Sequence, residues 1–544
     1  MKQYLFSLFL ILLVIGCTEQ EIEPSFSLQS DTNEITLSSE ANAQATLRFT
    51  STREWKATTR SEWLKVTPTS GEAGSCEVTV TAYSSNNETA SRSAILQLVS
   101  AGLTQSITIT QSAADYVEPE QTIYYVGAEE TSLQIYFTTN LSTDELLIYS
   151  SKVSWLVQAE DSRSDQSYIL NLTAQSNTEE SPRMAYIYFF KSTQDPQNDL
   201  PLNSIAIIQE GKGATTSTDY SADKTVHTLQ QASQGTGLPI VLMGDGFLDT
   251  EIADGTYDKV MNKAMENLFT EEPLKSLRNY FNVYSVTAVS PTQRFDRSST
   301  TFKCWIEGGT STLVEGDNET VTKYAECVEG LDLSETLAVV ILNSSAYAGT
   351  TYFGFGTTTQ MSELAIAYCP IIYDLENEAF REVLVHEAVG HGFAKLGDEY
   401  SYEGTIPSDE IEKVQTMQGF GWMQNVDFTP DKNAVLWASF VNDNRYENEK
   451  IGAYEGAYTY MYGVYRPTED SMMNSNTCGF NAPSRKAIYD MVMKRGENRT
   501  PTYEEFVAFD LQHASQTQSL SRTSAQPHRP FARPHFVNRP LSDK

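Results

Sequence analysis

A tandem repeat in the first 212 residues constrains the fold more than any other feature of the sequence. The segment WLKVTPTSGEAGSCEVTVTA begins at Trp63, and WLVQAEDSRSDQSYILNLTA begins at Trp155, so the period is roughly 92 residues, the size of a domain. Both copies contain segments in which apolar and polar residues alternate between clusters of Gly, Asn and Ser, which is typical of half-buried β-strands. The repeat therefore predicts two tandem all-β sandwiches of immunoglobulin-like type, at residues 26–115 and 116–212.

The chain as a whole is long and acidic. Its 544 residues exceed the size of one domain, and its formal net charge of -33 makes nucleic acid and anionic membranes poor candidates as partners. Beyond Cys17 there are five widely spaced cysteines without a C-x-x-C motif, so neither a disulfide framework nor a cysteine metal site is expected. A single bridge between Cys304 and Cys327 is the one pairing left open, in an oxidising compartment.

The N-terminus has the features of an export signal. Residues 1–17, MKQYLFSLFLILLVIGC, combine one Lys with an apolar run that is too short to span a membrane. The ending LVIGC resembles a bacterial lipobox, which implies cleavage before Cys17 and lipidation of that residue. Residues 18–25 would then be a tether, and we expect an outer-membrane lipoprotein that is exposed at the cell surface.

The pattern changes after a Gly/Ser/Thr-rich linker at residues 213–224. Strands are predicted in GLPIVLMGDGF, NVYSVTAVS, TLAVVILNS and ELAIAYC, and helices in TYDKVMNKAMENLFTEEPLKSLRNYF and FREVLVHEAVGHGFAKL. Residues 225–515 are accordingly predicted to form an α+β domain. Residues 516–544 are Pro-rich and locally basic, and we predict that they are disordered.

One predicted helix carries two neighbouring histidines with an unusual spacing. In LVHEAVGHGFAKLGDEY, residues 384–400, His386 and His391 are five positions apart. Residues four apart on a regular helix differ by about 40° around its axis, but residues five apart differ by about 140°. A π-type turn would absorb the extra residue, and Gly390 would tolerate the distortion. The sequence therefore predicts one zinc site on a helix with local π geometry.

The α+β region resembles the bacterial IgA-peptidase family of zinc metallopeptidases. VLVHEAVGHGFAKLGDEY is similar to that family's zinc helix, in which H-E-x-G-H precedes F-x-x-L-x-D-E-Y, and IVLMGDGF, LFTEEPLKSLRNYFNVYSV and VYRPTEDSMMNSN agree as well. The histidine spacing is one longer than in that family's shorter form. It equals the H-E-x-x-G-H of dipeptidyl-peptidase-III-like enzymes, in which it is a working zinc motif. The resemblance covers most of residues 225–512 and implies a zincin-like metallopeptidase domain.

The first β repeat resembles the BACON domain of secreted gut-bacterial proteins. The resemblance is carried by REWKA, SEWLKVTPTSGEAG and ITITQSA, whereas the second repeat lacks the S-G-E-x-G turn and is a degenerate copy. BACON domains are associated with glycan binding, so contact between the sandwiches and a glycan is one candidate interaction. A spacer role is the other, because Trp63 and Trp155 lie beside Leu in strand-like positions typical of core residues.

The chemistry of a zinc hydrolase assigns roles to the residues around the motif. Catalytic zinc takes three protein ligands and keeps one position open for water. His386 and His391 supply two ligands, and the family pattern implies Asp398 as the third, with its neighbour Glu399 as the alternative. Glu387 is the expected general base, which takes a proton from the water and passes it to the leaving amine.

Further candidates lie outside the helix. RPTEDSMMNSN is similar to the Met-turn below the metal in related zinc endopeptidases, with Met473 preferred over Met472. Tyr465 or Tyr400 is the candidate donor to the oxyanion. EEFVAF, residues 504–509, matches only part of the E-E-x-x-A-D motif of dipeptidyl-type enzymes. Its glutamates, Glu504 and Glu505, are therefore outside candidates for the third ligand, and Thr502 with Glu505 also fits a helix capping box.

Together these predictions favour a cell-surface zinc endopeptidase that cleaves host or dietary proteins or glycoproteins, and that is a monomer. The substrate would bind as an extended peptide, and YFGFGTTTQMSELAIAYC is the candidate source of an edge strand to hold it. Two alternatives are a glycan- or mucin-binding surface lipoprotein with an inactive peptidase domain, and a dipeptidyl-type exopeptidase. The complete set of His386, Glu387 and His391 favours the active endopeptidase.

Overall fold

A computed structural model describes residues 23–29, 33–88, 90–151, 153–158, 162–164, 167–357, 360–513 and 533–539. The chain divides into two compact units, which meet in the sequence between Asp115 and Tyr116. Cys17, the predicted lipidation site, lies outside the described residues. Within the described ranges, no helix combines the length and the apolar character that a membrane crossing needs.

The first unit contains two β-sheets with a shared apolar core. The strands of one sheet are, in spatial order, Phe26–Leu28, Gln44–Ser51, Gly74–Ala82 and Leu64–Thr67, and those of the other are Glu34–Leu37, Leu103–Gln111, Arg92–Ser100, Trp55–Thr59 and Ser70–Gly71. Inward residues alternate with outward ones along these strands, as in Gln44–Ser51, where Leu47 and Phe49 are buried. This alternation is the reason why the sequence pattern predicted strands correctly.

The second repeat, at the start of the second unit, has the same sheet arrangement. One of its sheets contains, in order, Val117–Pro119, Thr131–Thr139, Ser167–Ala174 and Leu156–Gln158, and Ser162–Ser164 also pairs with Ser167–Ala174. The other sheet contains, in order, Ile123–Val126, Asn203–Gln209, Arg183–Lys191 and Leu146–Ser150. In both repeats the first strand of the second sheet pairs in parallel with the last strand of the repeat. The degenerate copy has thus kept the topology without the S-G-E-x-G turn.

The repeated tryptophans have equivalent surroundings in the two copies. The guanidinium carbon of Arg92 lies 4.8 Å from the ring centroid of Trp63, and that of Arg183 lies 4.5 Å from that of Trp155. Each arginine Nε also donates a 2.9 Å hydrogen bond to a glutamine, Gln111 in the first copy and Gln209 in the second. An arginine lies over each indole and each indole also packs on the core of its repeat, so these tryptophans do not present free platforms to a sugar ring.

A mixed eight-stranded sheet organises the rest of the second unit. Its main path runs Val226–Gln230, Phe281–Val286, Leu238–Asp245, Leu337–Leu342, Ala365–Pro370, Thr350–Thr357 and Gln360–Met361. Four central strands are parallel, and Thr350–Thr357 is antiparallel to its neighbour Ala365–Pro370. Leu337–Leu342 is buried along its whole length, because apolar cores cover both faces of the sheet.

Helices and small sheets complete this α+β region. The α-helices are Asp249–Ala253, Thr256–Leu268, Asn318–Ala325, Glu378–Leu384, Ser408–Gly419, Ala438–Val441, Met472–Ser475, Ala482–Glu497 and Tyr503–His513. The 3₁₀-helices are Arg278–Tyr280, Leu333–Glu335 and Asn444–Glu449, and the small sheets contain Trp305–Ile306 with Val314–Glu315, and Ser401–Thr405 with Thr459–Arg466 and Tyr454–Ala457. The long helix predicted from residue 256 ends at Leu268, ahead of Pro273, which cannot donate a helical hydrogen bond.

The C-terminal tail differs from its prediction. Residues 516–544 were expected to be disordered, but His535–Arg539 is a β-strand that pairs in parallel with Thr350–Thr357. The segment supplies apolar side chains, since Phe536 and Val537 pack against the cores on opposite faces of the sheet. The composition of the tail as a whole concealed this short strand-forming stretch.

The described cysteines are unpaired. Cys304 is buried in the sheet core, whereas Cys327 is only partly covered, and no bridge joins them. Burial raises the pKa of the Cys304 thiol. The bridge left open by the sequence is therefore not part of this structure.

Candidate functional site

The two histidines lie on a continuous helix that changes type before it reaches them. Asn377 caps the α-helix Glu378–Leu384 by accepting a 3.0 Å hydrogen bond from the backbone N–H of Ala379. From Val385 to Phe393 the helix is a π-helix, and it closes with a 3.0 Å bond from the N–H of Ala394 to the carbonyl of Val389, five residues earlier. We refer to Val385–Phe393 as the site helix. It extends over nine residues, whereas the sequence predicted a single π turn.

The site helix brings the two imidazoles together. Their ring centroids are 4.6 Å apart and their planes are inclined by 85°. The Nε2 atoms of His386 and His391 lie 3.3 Å and 3.1 Å from the same oxygen, Oδ1 of Asp398. The three side chains form the one group of described His, Cys, Asp and Glu residues that is arranged to hold a metal ion, with ligand atoms within 4.8 Å of one another.

These separations fit a tetrahedral zinc site. Ligand atoms about 2.0–2.1 Å from a tetrahedral ion are roughly 3.4 Å from one another, close to the two distances measured to Asp398. Nε2 of His391 is also a buried atom without a well-aligned hydrogen-bond partner among the described residues. The donor set, with two imidazoles and one carboxylate, is one that zinc hydrolases use.

The other nitrogen of each imidazole is held by a backbone carbonyl. Nδ1 of His386 donates to the carbonyl of Met472 at 3.0 Å, and Nδ1 of His391 donates to that of Leu396 at 2.8 Å. A carbonyl oxygen can only accept, so Nδ1 of each ring carries a proton, and Nε2, which faces Asp398, is the nitrogen left to bind a metal. The structure therefore fixes both the tautomer and the direction of the two rings.

Charge is concentrated in this small buried volume. Burial alone would raise the pKa of Asp398, but the adjacent His391 and His386 bring it down to about 2. Burial alone would lower the pKa of His391, but the charges of Asp398 and Glu387 raise it to about 9. In the protein without a cation, a proton on the histidine thus neutralises the aspartate, which is the electrostatic role that a metal ion would otherwise have.

Glu387 lies beside this cluster with one carboxylate oxygen held and the other without a hydrogen bond. The Oγ1 atom of Thr351 is 2.7 Å from Oε2 of Glu387, and it is 2.9 Å from the backbone carbonyl of the same residue. Oε1 is buried and has no hydrogen-bond partner among the described residues. Burial raises the pKa of Glu387. A Cβ atom at Gly349 would lie only 3.0 Å from Cγ of Glu387, so glycine leaves the space that this side chain occupies.

Glu399, the alternative ligand, points into a separate network. Its carboxylate accepts hydrogen bonds from Asn425 at 2.9 Å, Ser471 at 2.7 Å and Asn481 at 3.0 Å. Its backbone N–H donates to the carbonyl of Met473 at 2.7 Å. The structure thus brings Asp398 to the histidines, and it uses Glu399 to fix the turn that carries Asp398.

Lys395 lies just after the end of the site helix and turns the chain. Lys395 has a left-handed backbone with φ of 54°, and its Nζ donates to the carbonyls of Gly392 and Glu363, the latter at 2.8 Å. Gly397 has an ordinary φ, and its N–H donates to Oδ1 of Asn425 at 2.8 Å. A buried amine therefore joins a carbonyl of the last helical turn, Gly392, to the carbonyl of Glu363 outside the helix.

Burial of Lys395 gives the domain a pH-dependent stability. Burial lowers the pKa of Lys395 from 10.5 to about 7, so between these values the unfolded chain binds more protons than the folded one, and stability rises with pH. We compare the wild type with Lys395→Met, which cannot titrate at this position. The difference between their unfolding free energies should shift in favour of the wild type by up to about 1.4 kcal/mol per pH unit from pH 7.5 to 9. Chemical denaturation across this range measures the difference, and parallel curves would contradict it.

Met473 packs directly on the site helix between the histidines. A Cβ atom built on Gly390 would overlap the sulphur atom of Met473, and Phe480 lies next nearest, at 3.7 Å. Gly390 has an ordinary φ, so its role is to let this thioether approach, not to permit a strained backbone. Met473 belongs to the short helix Met472–Ser475, whose first carbonyl holds His386. The predicted Met-turn segment thus contacts the site helix and holds one of the predicted ligands, His386.

We expect Gly390→Ala to destabilise the domain through this contact. Overpacking a rigid site costs about 1–3 kcal/mol, which exceeds the roughly 0.5–1 kcal/mol that alanine gains in a helix. Gly419→Ala is the matched control, because a Cβ at Gly419 meets no atom within 4 Å, and it should be neutral or stabilising. A double-mutant cycle with Met473→Ala measures the coupling, and coupling near zero would show that the two side chains do not compete for space.

The structure separates the two candidate tyrosines. The ring of Tyr400 stacks on His386 with centroids 6.3 Å apart and planes inclined by 15°. Burial, together with the charge of Asp398, raises the pKa of Tyr400, so its hydroxyl group stays protonated. The hydroxyl group of Tyr465 faces Oε1 of Glu455 at 3.5 Å on the strand Thr459–Arg466. Tyr400 therefore lies against the histidine cluster, and Tyr465 faces a different carboxylate.

The outside candidates for the third ligand are engaged elsewhere. Glu504 accepts from the guanidinium of Arg445 at 2.7 Å and 2.9 Å on an exposed surface. Glu505 accepts from the N–H of Thr502 at 2.6 Å, and its own N–H donates to Oγ1 of Thr502 at 3.2 Å. The predicted capping box is therefore present at the start of the last helix.

Several residues of this site were not singled out from the sequence. Thr351 and Gly349 lie beside Glu387, and Asn425 and Asn481 hold Glu399. The sequence signals are weak, because a threonine in a strand and an asparagine before a helix have common structural explanations. Their roles depend on contacts between distant parts of the chain.

The donor set and the neighbouring glutamate define the class of site, which is that of a hydrolase. Residues 227–446 and 443–492 match the family model described as IgA Peptidase M64, and residues 53–112 match the family model described as BACON, a putative N-terminal binding domain. The α+β region therefore matches the IgA Peptidase M64 family model, which indicates a peptidase, and residues 53–112 match the BACON model, as the resemblance of the motifs had predicted.

Comparison with solved structures gives only distant likenesses. A Bacteroides ovatus GH5 xyloglucanase is 18% identical over 19% of this chain and 27% of its own length, with a TM-score of 0.16. An endo-fucoidan hydrolase of glycoside hydrolase family 107 is 11% identical over 35% of this chain and 29% of its own, with a TM-score of 0.15. The chain thus spans less than a third of each, and TM-scores this low do not establish a shared fold. No curated protein sequence matches the chain.

Proposed function

We propose that this peptidase is a zinc-dependent endopeptidase of zincin type that hydrolyses host or dietary proteins or glycoproteins. The observation that carries the proposal is the convergence of the Nε2 atoms of His386 and His391 on Oδ1 of Asp398. A buried carboxylate oxygen of Glu387, which no described residue donates to, lies beside it. His386, His391 and Asp398 would hold one zinc ion.

Zinc bound there would supply a Lewis acid for the scissile carbonyl and for a water molecule. Glu387 would take the proton of the attacking water on Oε1, because Oε2 is already engaged by Thr351. Its raised pKa lets Glu387 hold that proton and pass it to the leaving amine. The protonated hydroxyl group of Tyr400 is our candidate donor to the developing oxyanion, in preference to Tyr465.

We also propose that the protein is exported and anchored to the outer membrane through lipidated Cys17. This proposal rests on the lipobox-like LVIGC ending and on the acidic tether that follows it. Fractionation of cells that express Cys17→Ser tests it, with release of the protein from the membrane fraction as the expected result. Retention in that fraction would contradict it.

The alternatives have less support. A dipeptidyl-type enzyme needs a later glutamate ligand, but Glu504 is bound to Arg445 and Glu505 caps a helix. A glycan-binding protein with an inactive peptidase domain does not require the complete set of His386, Glu387, His391 and Asp398 that is assembled here.

Metal removal tests the proposal directly. We expect the purified chain to contain about one zinc per molecule, to cleave casein, and to lose both properties on dialysis against a chelator. Zinc should restore cleavage, because the carbonyls of Met472 and Leu396 hold the two imidazoles in place without the ion. Casein cleavage that survives complete zinc removal would refute zinc dependence.

A further inference from the structure

The tail strand fits closely on the strand that was predicted to hold substrate. His535 pairs with Tyr352 and Phe536 with Phe353. The rings of Tyr352 and His535 stack at 4.8 Å with an angle of 15°. Gly354 has φ of 76°, and a Cβ atom there would overlap the ring of Phe536. The edge strand is therefore shaped to receive this phenylalanine.

The beginning of the same segment is held by an acidic and aromatic surface. The guanidinium of Arg533 lies 3.7 Å from a carboxylate oxygen of Glu403 and 3.6 Å from one of Glu410. Its central carbon is 5.2 Å and 5.1 Å from the ring centroids of Tyr458 and Tyr460. Opposite charges and two aromatic rings thus form a site for a basic side chain.

The two ends of the segment contact residues that neighbour the proposed metal site. Tyr352 follows Thr351, which bonds Glu387. Tyr458 donates its backbone N–H to the carbonyl of Asp398 at 2.8 Å. The residues of the site are closed from solvent, since His386, His391 and Asp398 are fully buried and Glu387 is 1% exposed.

We propose that substrate binds in the groove between the strand Thr350–Thr357 and the acidic pair Glu403 and Glu410. Residues 533–539 occupy this groove in the absence of substrate. A basic residue of the substrate takes the place of Arg533. This inference rests on the proposed function, because it names the subsite and substrate class of the same site. A peptide that pairs with the edge strand gains main-chain hydrogen bonds, and the acidic pair selects among sequences. The substrate must displace the resident segment to reach Glu387.

Covalent attachment explains how a short peptide can occupy the groove. A ligand on the same chain can reach an effective concentration near millimolar, so weak pairing is enough to fill the site. If the segment is bound for about nine-tenths of the time, its release raises kcat/KM by about tenfold. The free peptide RPHFVNR, residues 533–539, should then inhibit competitively only at high concentration.

Substitutions in the full-length chain test the inference. We expect Phe536→Asp and Arg533→Glu to raise kcat/KM for a quenched fluorescent peptide by about tenfold and to speed amide hydrogen exchange at residues 352–355. Leu511→Asp, at an exposed apolar position, and Arg48→Glu, in the first sandwich, are the matched controls. RPHFVNR should inhibit the Phe536→Asp variant, whereas a scrambled peptide should not.

The acidic pair has its own test. Substituting both carboxylates, Glu403→Gln with Glu410→Gln, should reduce the preference for arginine over leucine in peptide substrates by up to about fivefold. An unchanged preference would overturn the basic subsite.

The exchange measurement separates the two proposals. If Phe536→Asp speeds exchange at residues 352–355 but does not raise kcat/KM, the segment docks outside the substrate groove. If exchange at these residues is unchanged, the segment does not dock on this strand. Either result overturns the inference. A wild-type chain that cleaves nothing after zinc loading would instead refute the proposed function, and exchange would still report the docking.

Discussion

Replacing Glu387 by glutamine lowers kcat by about 10²–10⁴-fold, the range that general acid–base catalysis contributes, and leaves one zinc ion per chain. Glutamine keeps the shape of the side chain and its contact with Thr351, but it cannot accept and return a proton. The measurement pairs hydrolysis of casein with zinc analysis of the same preparation.

Glu378→Gln is the matched control for this experiment. Glu378 is the first residue of the same continuous helix, is exposed, and pairs with Arg381 at 2.8 Å. Its substitution should change kcat little, because exposed ion pairs contribute at most about 1 kcal/mol. Activity of Glu387→Gln close to that of the wild type would remove Glu387 from the mechanism, and simultaneous loss of zinc would show a structural role instead.

Replacing Asp398 by alanine should abolish stoichiometric zinc binding. The change removes one of three proposed ligands, so the loss of affinity should exceed the roughly 10–100-fold that is typical when only an outer-shell partner is lost. Zinc competition with a chromogenic chelator measures it. The two histidines would remain held by the carbonyls of Met472 and Leu396.

Glu399→Gln is the neighbouring control for Asp398→Ala, with the opposite expected outcome. Glutamine would place an amide donor among the side chains of Asn425, Ser471 and Asn481, which now donate to Glu399. We expect a loss of about 1–3 kcal/mol in unfolding free energy, with one zinc still bound. If Glu399→Gln loses zinc and Asp398→Ala retains it, the third ligand is Glu399 and not Asp398.

The identity of the candidate residues followed from local sequence, because the chemistry of a zinc hydrolase restricts them to few types. His386 and His391 are the closest histidines in the chain, and Glu387 is adjacent to one of them. Their five-residue spacing required a π turn, because a regular helix would direct the rings apart. The need for a change in helix type was therefore predictable from two residues and one angle.

The extent of the π-helix was not predictable in the same way. It depends on side chains from distant parts of the chain that pack on the helix. Met473 packs against Gly390, and Leu337 lies 2.7 Å from the position of a Cβ atom built on Gly392. The choice between Asp398 and Glu399 also depends on distant partners, because Asn425 and Asn481 hold Glu399 across 26 and 82 positions. Neighbouring carboxylates look equivalent when only the local sequence is considered.

The tail shows how composition can mislead. Its proline and basic residues indicated disorder, yet His535–Arg539 pairs with the edge strand because Gly354 leaves space for Phe536. That complementarity joins segments about 180 positions apart in the chain, beyond the reach of sequence patterns. The sandwiches were predictable because alternation within each strand records which residues face the core.

Anomalous scattering at the zinc edge from crystals of the zinc-loaded protein would locate the metal ion among its ligands. We expect one peak about 2.0–2.2 Å from Nε2 of His386, Nε2 of His391 and a carboxylate oxygen of Asp398. A map with the imidazoles turned apart and no peak between them, or with the peak at other residues, would contradict the account.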